Sequence, residues 1–154
     1  MVNRFGVLSR ISGLFSGRGF NIESLNVAET NDPNISRMTI VTRGDDKKIE
    51  QITKQLNKLV DIIKVVDITD EKFVDREMVL VKMNAEPRVR EEILRIVQIF
   101  RAKVVDANQS AYTIEITGDE GKITGFLDLL KPLGIKELVR SGRIAMTRGT
   151  KSIN

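Results

Sequence analysis

Thr113-Ile114-Glu115-Ile116-Thr117-Gly118-Asp119-Glu120-Gly121-Lys122-Ile123 is a second writing of Thr39-Ile40-Val41-Thr42-Arg43-Gly44-Asp45-Asp46-Lys47-Lys48-Ile49. Each copy runs from β-branched residues through a glycine to an aspartate suited to capping a helix. The match continues through Leu56/Leu130 and Leu59/Leu133, and a weaker echo sets Leu14–Asn21 against Ile99–Asp106. The chain is therefore read as two related halves of about 70–80 residues, near the lower end of domain sizes. Halves that small have limited cores and lean on each other or on a partner chain.

Working outward from the repeat, Leu8, Ile11, Leu14 and Phe15 recur at helical spacing, with Gly19 where that helix stops. Phe20 to Thr30 and Ile35 to Arg43 read as a hairpin around the turn cluster Asn31-Asp32-Pro33-Asn34. Asp45 caps a helix carrying Ile49, Ile52, Leu56, Leu59 and Val60, and Ile62 to Ile68 reads as a buried strand. A polar linker, 71–75, separates residues 1–70 from residues 76–154. The second half opens with a strand at Met78–Met83 and a helix from Pro87 bearing Val89, Ile93, Ile96, Val97 and Phe100. A hairpin of Lys103–Asn108 and Ala111–Thr117 follows. Asp119 then caps a helix ended by Pro132 and Gly134, and a last strand, Ile135–Thr147, bends at Ser141-Gly142.

The fold class is α+β. The second half reads β-α-β-β-α-β, the ferredoxin-like motif, and the first half only α-β-β-α-β. The offset that aligns Phe15 with Phe100 puts the counterpart of Met78–Met83 before residue 1. In a ferredoxin-like sheet that strand is central, between strands three and four. Its absence leaves two rows of backbone groups unpaired, and the expectation is a start lying upstream of Met1.

Composition narrows the chemistry. The chain has no cysteine and no histidine, which removes disulfides, thiol and imidazole catalysis, and zinc sites built on those residues. The 25 basic and 21 acidic residues are interspersed, so the +4 charge reads as a mixed surface. Arg140, Arg143, Arg148 and Lys151 come closest to the basic clustering of a nucleic-acid site. No apolar run approaches the ~20 residues of a membrane span, and the start lacks signal-peptide regions. The expected location is the cytoplasm, with no membrane or nucleic-acid partner.

One loop stands out. In Asn3-Arg4-Phe5-Gly6-Val7-Leu8, Gly6 permits close approach of backbone to a ligand, and the helix N–H groups near Val7 and Leu8 favour an anion such as a carboxylate. Asn3 and Asn21 each offer a donor and an acceptor. Together they could hold the two ends of a free amino acid. The second half has no Asn-x-x-Gly loop, since Glu86-Pro87-Arg88 stands near the equivalent place, and is expected not to bind one. Gly13, Gly17 and Gly19 lie in or after a helix and make no dinucleotide fingerprint. Asp45-Asp46 and Asp119-Glu120 are read as helix-start acids, and Arg37 and Arg43 as surface residues.

Asn3 through Ala28, with Arg18-Gly19-Phe20-Asn21-Ile22-Glu23-Ser24-Leu25 at its centre, closely resembles the ACT-domain signature of acetolactate synthase small subunits. The resemblance continues at Asp32-Pro33, Ser36–Ile40, Ile52–Val60, Arg76-Glu77-Met78, Ile99–Asp106 and Arg140-Ser141-Gly142, covering nearly the whole chain. It implies a regulatory subunit with no active site of its own. Such a subunit activates a large catalytic subunit, a transferase carrying thiamine diphosphate, magnesium and usually FAD. It also confers feedback inhibition by valine or another branched-chain amino acid. It further implies that ACT domains pair as a homodimer, with effector bound at the pair's interface. The loop of Asn3, Phe5, Gly6, Val7 and Leu8 in one chain would meet Asn21 and Ile22 of the other, with Ser9 and Ala28 nearby.

Two alternatives stay open. A free-standing amino-acid sensor would differ only in lacking an enzyme partner. An RNA-binding module shares the βαββαβ topology but needs exposed aromatics on its central strands. Ile35–Thr42 offers none and Ala111–Thr117 only Tyr112.

Overall fold

In a computed structural model the chain is described over residues 1–153. The elements are α1 (Val7–Gly17), β1 (Ile22–Glu29), β2 (Ser36–Thr42), α2 (Asp46–Asn57), β3 (Phe73–Asn84), α3 (Pro87–Ile99), β4 (Lys103–Ala107), β5 (Ala111–Gly118), α4 (Glu120–Gly134), β6 (Ile135–Arg140) and β7 (Ile144–Thr147). Contacts divide the chain into two compact units. One is Met1–Val74 together with the segment from Ala145 onward, and the other is Asp75–Ile144.

The second unit is a complete ferredoxin-like domain. Its strands order β4-β5-β3-β6, with the unit's first strand, β3, central. β3 alternates strictly, so Val79, Val81 and Met83 point to the helices while Met78 and Leu80 face the open side. Ile114 and Ile116 of β5, Ile93, Ile96 and Val97 of α3, and Ile123, Phe126, Leu127 and Leu130 of α4 complete the core. Asp119 accepts a hydrogen bond from the Lys122 N–H at 2.8 Å, as expected of the cap. Pro132 is accommodated inside α4, and Gly134, at φ 98°, turns the chain directly into β6. The predicted last strand is two strands, parted where Gly142 adopts φ 83°.

The first unit keeps the same helices on a smaller sheet. β1 and β2 pair antiparallel from Ile22/Thr42 to Glu29/Ser36, with an irregularity between Ile22 and Ser24. Val7, Ile11 and Phe15 of α1 meet Ile52 and Leu56 of α2 in the core. Asp45 caps α2 by accepting from the Lys48 N–H at 2.8 Å.

Three readings need correction. Ile62–Ile68 forms no strand; Ile62 and Val65 still pack on the core, but their backbone has no ladder beside it. The place next to β2 holds only the first residues of the chain: Met1 and Ser36 exchange backbone bonds, and the Val2 N–H donates to the Asp61 carbonyl at 2.8 Å. β3 begins at Phe73, so part of the expected linker is strand. The segment from Ala145 groups with the first unit, because Arg148 donates backbone and side-chain bonds to the carbonyls of Lys72 and Phe73, and Lys151 pairs with Glu71 at 2.9 Å.

Candidate effector site

α1 begins without a side-chain cap. Gly6 occupies the cap position at φ 83°, a left-handed conformation that a glycine adopts without cost. The helical ladder starts only when the Arg10 N–H reaches the Gly6 carbonyl at 3.1 Å, so the Leu8 and Ser9 N–H groups stand ahead of it. A Cβ built on Gly6 would meet nothing within 4 Å. The helix therefore opens onto free space, with its positive dipole end and unclaimed donors suited to a carboxylate.

The other candidates divide into those beside this opening and those far from it. Asn3 lies beside it, its Nδ2 donating to Glu29 Oε1 and to the Pro33 carbonyl, both at 2.9 Å. Both amide hydrogens are thereby committed within the chain, leaving Asn3 Oδ1 as an acceptor, suited to an ammonium group. Ala28 is exposed at the same end of β1, next to Glu29. Leu8 and Ser9 are exposed on α1, and Phe5 is wholly exposed, at 104%.

Val7 is different from the expectation. Its side chain is buried in the core, and its N–H points to the Arg4 carbonyl at 3.4 Å. Asn21 and Ile22 lie past the opposite end of α1. Eleven residues of helix put about 16 Å between the two ends at 1.5 Å per residue. Asn21 is exposed, with its carbonyl accepting from Thr42 Oγ1 at 2.6 Å, and Ile22 packs against the core. One chain thus gathers Asn3, Gly6, Leu8 and Ser9 but not Asn21 and Ile22, while Ala28, next to Glu29 in β1, faces the other side of the hairpin.

Two clefts of the first unit flank α1, the first touching the site only through Val7. One, of about 260 Å³, is lined by Val7, Arg10, Lys58, Leu59, Val60 and Asp61, and Arg10 and Asp61 pair across it at 2.9 Å. The other, about 90 Å³, lies around Arg18, Phe20, Arg43 and Lys48, next to Asn21. Reading the sequence missed Glu29 as the partner of Asn3, and it missed that Arg37 Nη2 donates to the Ala145 carbonyl at 2.8 Å. Both contacts join residues far apart in sequence, and no local pattern announces them.

The equivalent place in the second unit is closed to an anion. Pro87 stands at the start of α3, where it contributes no N–H, and the Glu86 carboxylate lies alongside, paired with Arg88 at 2.9 Å. The basic residues near the C-terminus are each engaged. Arg140 bonds Glu77, Arg143 bonds Asp75 at 3.0 Å, Arg148 bonds the Phe73 carbonyl and Lys151 bonds Glu71. Tyr112 packs against the helix-side core, so the open face of β5 presents no aromatic ring to a base. No helix among the described residues is long and apolar enough to cross a membrane.

Residues 1–64 match the family described as the AHAS small subunit-like ACT domain, and residues 76–149 match the small subunit of acetolactate synthase. The acetolactate synthase small subunit of Aquifex aeolicus is 54% identical over 95% of this chain and 77% of its own length. That of Haemophilus influenzae is 49% identical over 98% and 93%. The chain belongs to the acetolactate synthase small-subunit family. The crystal structure of the Thermotoga maritima small subunit superposes with a TM-score of 0.86 at 42% identity, covering 97% of this chain and 93% of that one. Within this family, the open end of α1 falls inside the part that matches an ACT domain, and the closed end of α3 inside the C-terminal part.

Proposed function

We propose that this chain is the regulatory subunit of an acetolactate synthase, without an active site of its own. It activates the catalytic subunit and transmits feedback inhibition by valine or another branched-chain amino acid in the cytoplasm. Thiamine diphosphate, magnesium and FAD belong to the catalytic subunit in this reading. Membership of the small-subunit family supports the partner. The observation that carries the effector is the uncapped start of α1 behind Gly6, with the Asn3 carbonyl oxygen alongside. The α-carboxylate takes the Leu8 and Ser9 N–H groups, and the ammonium takes Asn3 Oδ1.

The separation of Asn3 and Gly6 from Asn21 and Ile22 fits a site completed by a second copy. In a two-fold pair the same patch serves on both chains. The α1 start of each subunit then faces the Asn21–Ile22 strand entry of the other, and two equivalent sites form.

Gly6→Asp tests the site. Aspartate is among the residues that best tolerate a left-handed backbone, and its side chain enters open space. Its carboxylate meets that of the effector within a few ångström, and repulsion there is worth at least a ~10-fold weakening. The expected result, with the reconstituted enzyme, is acetolactate formation still activated but an inhibition curve shifted at least ~10-fold to higher valine. An unchanged curve removes Gly6 from the site. Failure of the chain to capture or activate a catalytic subunit would favour a free-standing sensor.

A further inference from the structure

We propose that Arg37 is a positioning residue that couples the effector site to the C-terminal segment. The inference rests on the effector reading above and extends it from binding to transmission. Arg37 lies in β2 directly opposite Ala28 of β1. Directly opposite cross-strand neighbours are in contact, so a displacement of one bears on the other. One position along, Glu29 receives the Asn3 side chain from the effector loop. Arg37 itself is half-buried, and among the described residues no carboxylate pairs with it. Its Nη2 instead donates to the Ala145 carbonyl at 2.8 Å.

The segment beyond Ala145 is held at its far end as well. The Arg148 N–H bonds the Lys72 carbonyl at 2.8 Å, Arg148 Nε bonds the Phe73 carbonyl at 3.2 Å, and Lys151 pairs with Glu71 at 2.9 Å. Glu71, Lys72 and Phe73 lead into β3. A continuous set of hydrogen bonds and strand neighbours therefore runs from Asn3 through Glu29 and Ala28 to Arg37, Ala145 and the entry of β3.

Two features make this set responsive. The β1–β2 sheet has only two strands, and such sheets are compliant. The link at Arg37 is a single directed bond from a planar guanidinium, which lysine does not reproduce. A small shift of the hairpin on effector binding changes whether that bond is made. The effector thereby biases the C-terminal segment by its differential affinity for the two arrangements.

The test uses the full chain reconstituted with the catalytic subunit. Arg37→Met keeps an unbranched apolar stem and removes the guanidinium donors. Valine binding by calorimetry should stay within about 3-fold, while the inhibition reached at saturating valine falls. Arg37→Lys should behave like Arg37→Met. In the unaltered protein, hydrogen exchange at the amides of 146–150 should change on adding valine, and this measurement needs no variant to fold. Binding and inhibition moving together would make Arg37 a binding residue and overturn the proposal. Inhibition unchanged in both variants, or exchange at 146–150 indifferent to bound valine, would also overturn it. If valine, leucine and isoleucine all fail to bind the unaltered protein, the effector reading itself falls and the coupling with it.

Discussion

Ile62–Ile68 and Ile135–Arg140 occupy the same place in the two halves, each following an amphipathic helix and each rich in branched apolar residues. Only the second is a strand. Ile135–Arg140 lies against β3, with partners running from Val79/Arg140 to Met83/Ile135. Ile62–Ile68 is richer still in β-branched residues and has an apolar face on its own core, yet no strand beside it to complete a ladder. Strand formation here follows the neighbour more than the residues, because β-propensity measures fit to a sheet that must already exist. The helices behave oppositely. Their caps and periodicity are local, and both halves form them alike.

Supplying the neighbour is the strongest way to break this contrast. Six β-branched apolar residues placed before Met1 extend the position where Met1 and Val2 already bond Ser36 and Asp61. The expected outcome is ladder formation on both sides, with exchange at Arg37–Thr42 and Ile62–Ile68 slowed at least ~10-fold. Equal protection with and without the extension would show that the first unit needs no such strand. A smaller effect sharpens the helical side of the comparison. Asp45→Ala and Asp119→Ala remove the same bond from the Lys48 and Lys122 N–H groups. Each should cost about 1 kcal/mol in denaturant unfolding. Costs that differ severalfold would mean that the two caps are not the local, interchangeable features that the repeat implies.

The helices, both caps and the β1–β2 and β4–β5 hairpins were legible, because periodicity, turn residues and capping aspartates act within a few positions. The central place of β3 followed from topology. What was not legible depended on distance. The return of the segment after Ala145 to the first unit rests on Arg148, Lys151 and Arg37 finding carbonyls and a carboxylate far away in sequence. In the site, Gly6 and the open start of α1 could be read from the loop. The burial of Val7 could also have been read, since it continues the stripe of Ile11 and Phe15. The commitment of both Asn3 amide hydrogens to Glu29 and Pro33 could not.

In the proposed pair the effector site is shared between two chains. Mixing tests this directly. A Gly6→Asp chain spoils the α1 end, and an Asn21→Ala chain spoils the strand entry, so neither homodimer has an intact site. A mixed pair has one site spoiled twice and one built from Gly6 of one chain and Asn21 of the other. After subunit exchange at equal amounts, about a quarter of all sites should be intact under two-fold pairing. Calorimetry should then recover valine binding at about that stoichiometry, from two preparations that each bind none. No binding after confirmed exchange, or full binding by either variant alone, would contradict a site shared across the pair.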